Sequence, residues 1–342
     1  MKAILYKLLG ILPFFLVLGF VNYFIDSKNY FLNNPAFKKA VKGIIEGKMI
    51  ATKERLLQHD FVFSYIQKRG KTDKINVMGS SKCMIIDSTF FNASFFNYYV
   101  SNSSFVEYLA ITKWLEENEQ LPDTLIMEIS FSQFHNMYNG QPNYYINAAR
   151  SFANKNDIQF PELEGKPANH LIYKLFSFAY LLDNLQNINN KKYHVTKNDS
   201  LQNSFVLKTD GSLWTGQYLR WSKEKKKQKV EDPSNDKLNW VKSLDPKVKS
   251  GFINLISYLK NKGVYVILYR PPYHPNTYEL YVKNNPLFSE LNNFSRELAK
   301  QHQLELFGSF NPNNYELNDQ HFYDALHLTK SGFKIIYNEH FN

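Results

Sequence analysis

The chain has 342 residues, 44% of them hydrophobic, and a formal charge of +10, which is enough for one large α/β domain with insertions or for two small ones. Its single cysteine, Cys83, excludes an internal disulfide framework and a cysteine-based metal cage. The basic balance favours acidic partners such as anionic lipid headgroups or anionic cell-wall polymers, and with neither zinc-finger spacing nor an RNA-binding aromatic signature, nucleic acid is set aside.

Leu8 to Ile25 is a nearly unbroken apolar segment, LLGILPFFLVLGFVNYFI, in which only Asn22 is strongly polar. Its length is that of a membrane-spanning helix. Lys2 and Lys7 precede it and no small-x-small cleavage site follows, so residues 1–27 are expected to form an uncleaved N-terminal transmembrane anchor. Residues 28–73 are expected to form a helical linker, because Phe37, Val41, Ile44 and Ile45 recur at helical spacing within a helical pattern from Pro35 to about Gln67.

The globular part, 74–342, begins with a strand over Ile75–Met78. A second β signal, Phe95–Val100, holds Asn97 and ends in Ser101-Asn102-Ser103-Ser104, polar residues suited to capping a helix from Phe105 to about Asn118. Thr124–Ile129 is a third strand. This strand–helix–strand rhythm predicts a parallel sheet with helices on its faces. The rhythm fails over about 131–244, a region too long for a structureless loop inside a compact domain. It is expected to be an insertion with its own structure, lying over the strand ends. Within it the pattern predicts a helix from about Ala168 to Leu185 and a hairpin turn at Thr209-Asp210-Gly211-Ser212 between Phe205–Leu207 and Leu213–Trp214. The run Lys223–Lys229 reads as a solvated, mobile face, the alternative being contact with an anionic polymer or lipid. The rhythm then resumes with a helix from Asp245 to about Lys262, a strand over Val264–Tyr269, and a loop made rigid by Pro271, Pro272 and Pro275. A helix from about Pro286 to Gln301, a last strand at Leu304–Phe307 and a terminal helix from Lys330, capped by Thr329, complete the chain.

Two short stretches carry chemistry. Met78-Gly79-Ser80-Ser81 ends the first strand in a tight turn bearing hydroxyls, and ligands bind at the carboxyl edge of such sheets. Asp324-Ala325-Leu326-His327 follows the last strand. A serine needs a base within reach, and the base needs a third group to fix its tautomer. Asp324 and His327, with two residues between them on a turn, can contact each other and point the imidazole at a serine on a neighbouring loop. Arg270 and His274 stand at the carboxyl end of the fourth strand, where they can meet substrate, the alternatives being structural pairing for Arg270 and a plain loop role for His274. The histidines show no metal-ligand spacing, and neither metal nor cofactor is expected.

These features, with Asn97, Met127-Glu128-Ile129-Ser130, Pro271-Pro272-Tyr273-His274-Pro275 and Phe322–Leu328, resemble the SGNH (GDSL-like) hydrolase superfamily. More narrowly, they resemble its membrane-anchored branch related to the D-alanyl transfer protein of teichoic acid modification and to polysaccharide O-acetylation proteins. The resemblance implies a flavodoxin-like three-layer α/β sandwich with a central parallel sheet of about five strands. It makes Ser81 the nucleophile, with Ser80 the competing choice, His327 the base and Asp324 its orienter. The backbone amides of Ser81 and Lys82 would serve the oxyanion hole. Superfamily members often supply a glycine and an asparagine as further donors. Here Ser101-Asn102 and Ser130 stand at those places, so Asn102 or Ser130 would substitute. The implied activity is an acyltransferase or esterase on a cell-surface glycan or related polymer, outside a bacterial cytoplasmic membrane, with a multi-spanning membrane acyltransferase as donor partner. The alternative is a non-catalytic glycan-binding or assembly subunit of a cell-envelope acylation complex.

Overall fold

The structure is a computed structural model and describes residues 2–53, 58–137, 140–164, 171–187, 192–199, 201–202, 204–216, 223–231 and 243–341. Its centre is a five-stranded sheet built from β2 (Ile75–Met78), β3 (Phe95–Asn97), β4 (Thr124–Glu128), β8 (Tyr265–Arg270) and β9 (Glu305–Gly308). The order is β3-β2-β4-β8-β9 and every pairing is parallel. Counted within this sheet the order is 2-1-3-4-5, that of flavodoxin-like sheets, whose switch point lies between the first and third strands. Here that point is the carboxyl end of β2, where Gly79-Ser80-Ser81 stands. The central strands are apolar on both faces, as parallel strands covered by helices must be. Leu125, Ile126, Met127, Val266 and Leu268 are all buried.

The helices that follow these strands start where their caps dictate. α4 (Phe105–Glu117) begins at Ser104, whose hydroxyl accepts from the Val106 amide while Glu107 accepts from the Ser104 amide. α9 (Pro246–Asn261) is capped by Asp245, and α10 (Pro286–His302) by Asn285, each with proline at the first helical position. α11 (Lys330–Phe341) closes the chain, with Thr329 Oγ1 accepting from the Gly332 amide.

The N-terminal part differs from expectation. α2 (Pro35–Ile45) and α3 (Gln58–Arg69) are helical, but β1 (Met49–Thr52) lies between them. Gly47 adopts a positive φ of 78° and ends the helical path. β1 then pairs antiparallel with β5 (Tyr193–Thr196) and β6 (Phe205–Leu207), and β6 pairs with β7 (Leu213–Thr215). The resulting four-stranded sheet, β5-β1-β6-β7, joins the expected linker to the expected insertion. The insertion therefore completes its sheet with a strand from the linker instead of folding by itself.

The remainder of the insertion holds α5 (Asn143–Lys155), α6 (Leu171–Leu175), α7 (Phe178–Asn187) and α8 (Lys223–Glu231). The helix expected over 168–185 is broken at Phe176-Ser177, and its first residues lie outside the described set. α8 carries the lysine run, with Lys225, Lys227 and Lys229 exposed.

α1 (Lys2–Ile25) is helical, with side chains described from Gly10 onward. Among the described residues no helix is long and apolar enough to cross a membrane. The transmembrane helix expected over Leu8–Ile25 is thus not found among them.

Candidate active site

The turn after β2 is shaped by close approach. A Cβ on Gly79 would lie 2.5 Å from Cys83 Sγ and 2.7 Å from Glu128 Oε2, so only glycine fits. Ser80 caps a single 3₁₀ turn, Ser81–Cys83, with its hydroxyl accepting from the Lys82 amide at 3.3 Å. That turn lifts Ser81 out of the core while Cys83, Met84 and Ile86 stay buried. Asn97, at the end of β3, donates to the carbonyls of Cys83 and Ile86 at 2.8 and 2.9 Å and holds the turn from behind.

At the opposite end of the chain, Phe322 and Leu328 form an isolated bridge, and the Tyr323 amide donates to the His327 carbonyl at 2.8 Å. The loop between them presents Asp324 and His327 together. The Ser81 hydroxyl lies 2.8 Å from His327 Nε2. His327 Nδ1 lies 2.8 Å from both Asp324 carboxylate oxygens. Asp324 Oδ1 also accepts from the amides of Leu326 and His327, at 2.9 and 3.0 Å. Burial works to raise the Asp324 pKa, but the His327 ring and the two amides outweigh it and hold the carboxyl below its ordinary value. An ionised Asp324 fixes the proton on Nδ1 and leaves the Nε2 lone pair for the serine O–H. The three expected residues are therefore one hydrogen-bonded line.

The other expected residues have different places. The Lys82 amide is partly taken by Ser80, and its ammonium folds inward to donate to Tyr273 OH at 3.3 Å and to approach Glu128 at 3.9 Å. Burial works to lower the Lys82 pKa, but Tyr273 and Glu128 prevail and keep it raised. Among the described residues the Ser81 amide has no hydrogen-bond partner, which leaves it open to an oxyanion. Asn102 is exposed on a left-handed turn with φ 55°, and no hydrogen bond joins it to Ser81. Ser130 is fully buried and bonded to Glu128 at 2.5 Å and Gln133 at 2.8 Å. Its hydroxyl serves that network, not a ligand. Arg270 donates to Asn292 Oδ1 at 2.7 Å and the Gly308 carbonyl at 3.0 Å. These two bonds make it a structural tie between β8, β9 and α10, and burial with the like charge of Arg296 pushes its pKa down to about 10.

His274 supports the triad loop. Its amide donates to the Ala325 carbonyl at 3.1 Å, and its ring bridges the Asn276 amide and Asp319. Burial lowers its pKa against the pull of Asp319 and Asp324, so the neutral ring is favoured.

Glu128 has a role that sequence reasoning misses. It is fully buried at the end of β4 and accepts from the Ser80 amide and hydroxyl, at 2.5 and 2.9 Å, and from the Ser130 hydroxyl. The signal for it is a carboxylate closing an otherwise apolar strand: a buried charge must collect donors. Cys83 lies against it, and burial followed by Glu128 raises the thiol pKa well above its ordinary value, which makes it a packed, inert side chain.

The insertion also reaches the site. The Asn97 amide donates to the Asp210 carbonyl at 2.8 Å, the Ser88 amide to Asp210 Oδ2 at 2.8 Å, and the Leu213 amide to the Met84 carbonyl at 2.8 Å. The β6–β7 turn thus braces the segment that follows the nucleophile. Among the described residues no group of three or more His, Cys, Asp or Glu side chains is placed to hold a metal ion. No protein-family model matches the chain, and neither a curated protein nor a solved structure matches it.

Proposed function

We propose that this chain is a membrane-anchored, extracytoplasmic SGNH-like acyltransferase or esterase with a three-layer catalytic domain, acting on a cell-surface glycan or related polymer. The observation that carries the reading is the continuous line Ser81 Oγ–His327 Nε2 and His327 Nδ1–Asp324, each link 2.8 Å long. It stands at the switch point of the sheet, where α/β folds bind ligands. The motif resemblance and the apolar Leu8–Ile25 segment support the branch and the location.

In the first half-reaction Ser81 Oγ attacks the acyl carbonyl carbon of the donor while His327 Nε2 takes the hydroxyl proton. The oxyanion lies toward the Ser81 amide. The carbonyl re-forms, the donor's oxygen or sulfur leaves, and His327 returns the proton to it, giving an acyl-serine ester. In the second, a sugar hydroxyl or water attacks the ester with His327 as base, and Ser81 regains its proton. Asp324 stays ionised throughout. Transferase and esterase share every residue and differ only in the acceptor. The resemblance favours transfer, with a multi-spanning membrane acyltransferase supplying the acyl group.

A fluorophosphonate probe on the full-length chain tests the reading. The wild-type chain is expected to label and Ser81→Ala to be blank; no labelling of an accessible wild-type site would overturn it. One observation favours the second reading, a non-catalytic glycan-binding or assembly subunit: Lys82 N–H and Ser130 Oγ are already engaged, so the oxyanion site has few donors.

A further inference from the structure

Most of the chain buries apolar side chains and exposes polar ones, but α1, α6 and α7 do the reverse. Asn22, the one strongly polar residue of the apolar N-terminal segment, is fully buried. Its Nδ2 donates to the carbonyls of Lys174, Leu175 and Ser177 at 3.2, 2.8 and 3.0 Å. Asn184, also fully buried, donates to Asn22 Oδ1 at 3.1 Å and accepts from the Ser27 amide at 2.8 Å. Just beyond α1, buried Asp26 accepts from the Tyr180 hydroxyl at 2.7 Å. The outward faces are mostly apolar: Val17 and Phe20 on α1 are 62% and 63% exposed, Ile172 on α6 is 70%, and Phe178 and Leu185 on α7 are 58% and 51%, while the polar groups of α7 that reach solvent, Asp183 paired with Lys28 at 2.5 Å and Gln186, lie toward the polar end of α1.

Water favours the opposite arrangement. In lipid, polar side chains belong inside the helix contact and apolar ones outside. Broken helices are tolerated there only when their freed carbonyls find donors. The break at Phe176-Ser177 meets that condition, because Asn22 takes the freed Leu175 carbonyl, while the Lys174 and Ser177 carbonyls it also reaches accept from the Ser177 and Leu181 amides.

The position of the break along α1 is fixed as well. Phe176 packs on Phe15, with ring centroids 6.3 Å apart, and on Gly19, where a Cβ would lie 3.2 Å from its ring. Gly19 stands seven residues before Asp26, or about 10 Å along the axis at 1.5 Å per residue. The break therefore sits beside the apolar length of α1, not at its polar end.

We propose that α6 and α7 form a second lipid-contacting element, sunk into the same leaflet as the end of α1 and clamped to it by Asn22 and Asn184. This rests on the reading that α1 is held in a membrane. The element would fix the orientation of the domain over the bilayer, which a single helix on a linker does not do.

The test uses the full-length chain in phosphatidylcholine–phosphatidylglycerol vesicles, with single cysteines added at Leu16, Leu182, Leu185 and Val195 and labelled with an environment-sensitive fluorophore. The native Cys83 is buried, and the wild-type chain is the labelling blank. Nitroxides on the lipid acyl chains are expected to quench the Leu16→Cys, Leu182→Cys and Leu185→Cys labels several-fold more than the Val195→Cys label, which reports an exposed position on β5. Quenching at Leu16→Cys with none at Leu182→Cys and Leu185→Cys would overturn the inference and leave the anchor standing. If those two labels are shielded from water yet unquenched, a protein surface covers the face and the lipid assignment fails. No quenching at Leu16→Cys or on α7 would overturn the anchor and the inference together. In Asn22→Leu, loss of the clamp is expected to reduce quenching on α7 while the Leu16→Cys label keeps it; unchanged quenching on α7 would overturn the role of Asn22.

Discussion

Glu128 accepts both the amide and the hydroxyl of Ser80, at 2.5 and 2.9 Å, and so pins the residue before the nucleophile from beneath. The same carboxylate takes the Ser130 hydroxyl at 2.5 Å. Glu128→Gln keeps the shape but puts an NH2 group where one oxygen accepts, leaving a donor unmatched. The expected cost is ~1–3 kcal/mol of stability, with a slower rate of fluorophosphonate labelling because the Ser81 turn loosens. Denaturant midpoints and labelling rates on the same samples check it. An unchanged midpoint would show that the Glu128 network does not hold this turn.

Ser80 and Ser81 are adjacent hydroxyls with opposite surroundings. Ser80 is buried against Glu128, while Ser81 faces His327. Ser81→Ala is expected to abolish labelling and move stability by no more than ~0.5 kcal/mol. Ser80→Ala leaves a buried carboxylate short of a donor, so it is expected to cost ~1–3 kcal/mol and to retain labelling. The reverse pattern would make Ser80 the nucleophile.

The parts legible in the sequence were those written locally. The strand over Ile75–Met78, the helix start after the polar run Ser101–Ser104, the helix beginning at Asp245, and the Asp324–His327 spacing each declare themselves within a few residues. The hairpin around Gly211 did so as well. β1 and β5 did not, because Met49–Thr52 has no strand partner nearer than Tyr193–Thr196, and local pattern yields to tertiary pairing. Nor did the packing inside α1, where Asn22 reads as an isolated polar residue until the α6 carbonyls are placed beside it. Lys82 was legible as a backbone donor, but its side chain turns inward to Tyr273 and Glu128, a contact no local rule anticipates.

Gly211 carries the insertion's grip on the site. Its φ is 79°, and an added Cβ would lie 2.4 Å from the Asn97 carbonyl and 2.8 Å from the Phe96 ring. Gly211→Ala is therefore strained in backbone and in space, and is expected to destabilise by ~1–3 kcal/mol. The β6–β7 turn should withdraw from Asn97, Ser88 and Met84, raising amide hydrogen exchange at Ser88 and Leu213 and slowing labelling at Ser81. Exchange confined to the hairpin, with labelling untouched, would separate the insertion from the site.

Asp324 makes the site sensitive to acid. Its folded-state pKa is held below the ordinary 3.8, with His327 and two backbone amides outweighing burial. The unfolded chain regains the ordinary value and binds the proton first as pH falls. The stability Asp324 contributes is thus fully present above about pH 5 and is lost as pH drops through 4 toward the folded-state value. Asp87 is shifted the same way: burial works to raise it, but Lys330, Thr89 and Lys208 hold it down, so it contributes in the same window. Asp324→Asn should flatten, without abolishing, the fall in stability between about pH 5 and pH 2, leaving the Asp87 share. It should also slow labelling by ~10²–10⁴-fold at neutral pH, since an amide no longer fixes the Nδ1 proton or stabilises the imidazolium. Stability–pH curves of the two proteins, with labelling rates at pH 7, decide it: identical acid slopes would remove Asp324 as an ionised partner of His327, and an unchanged rate would remove it from the chemistry.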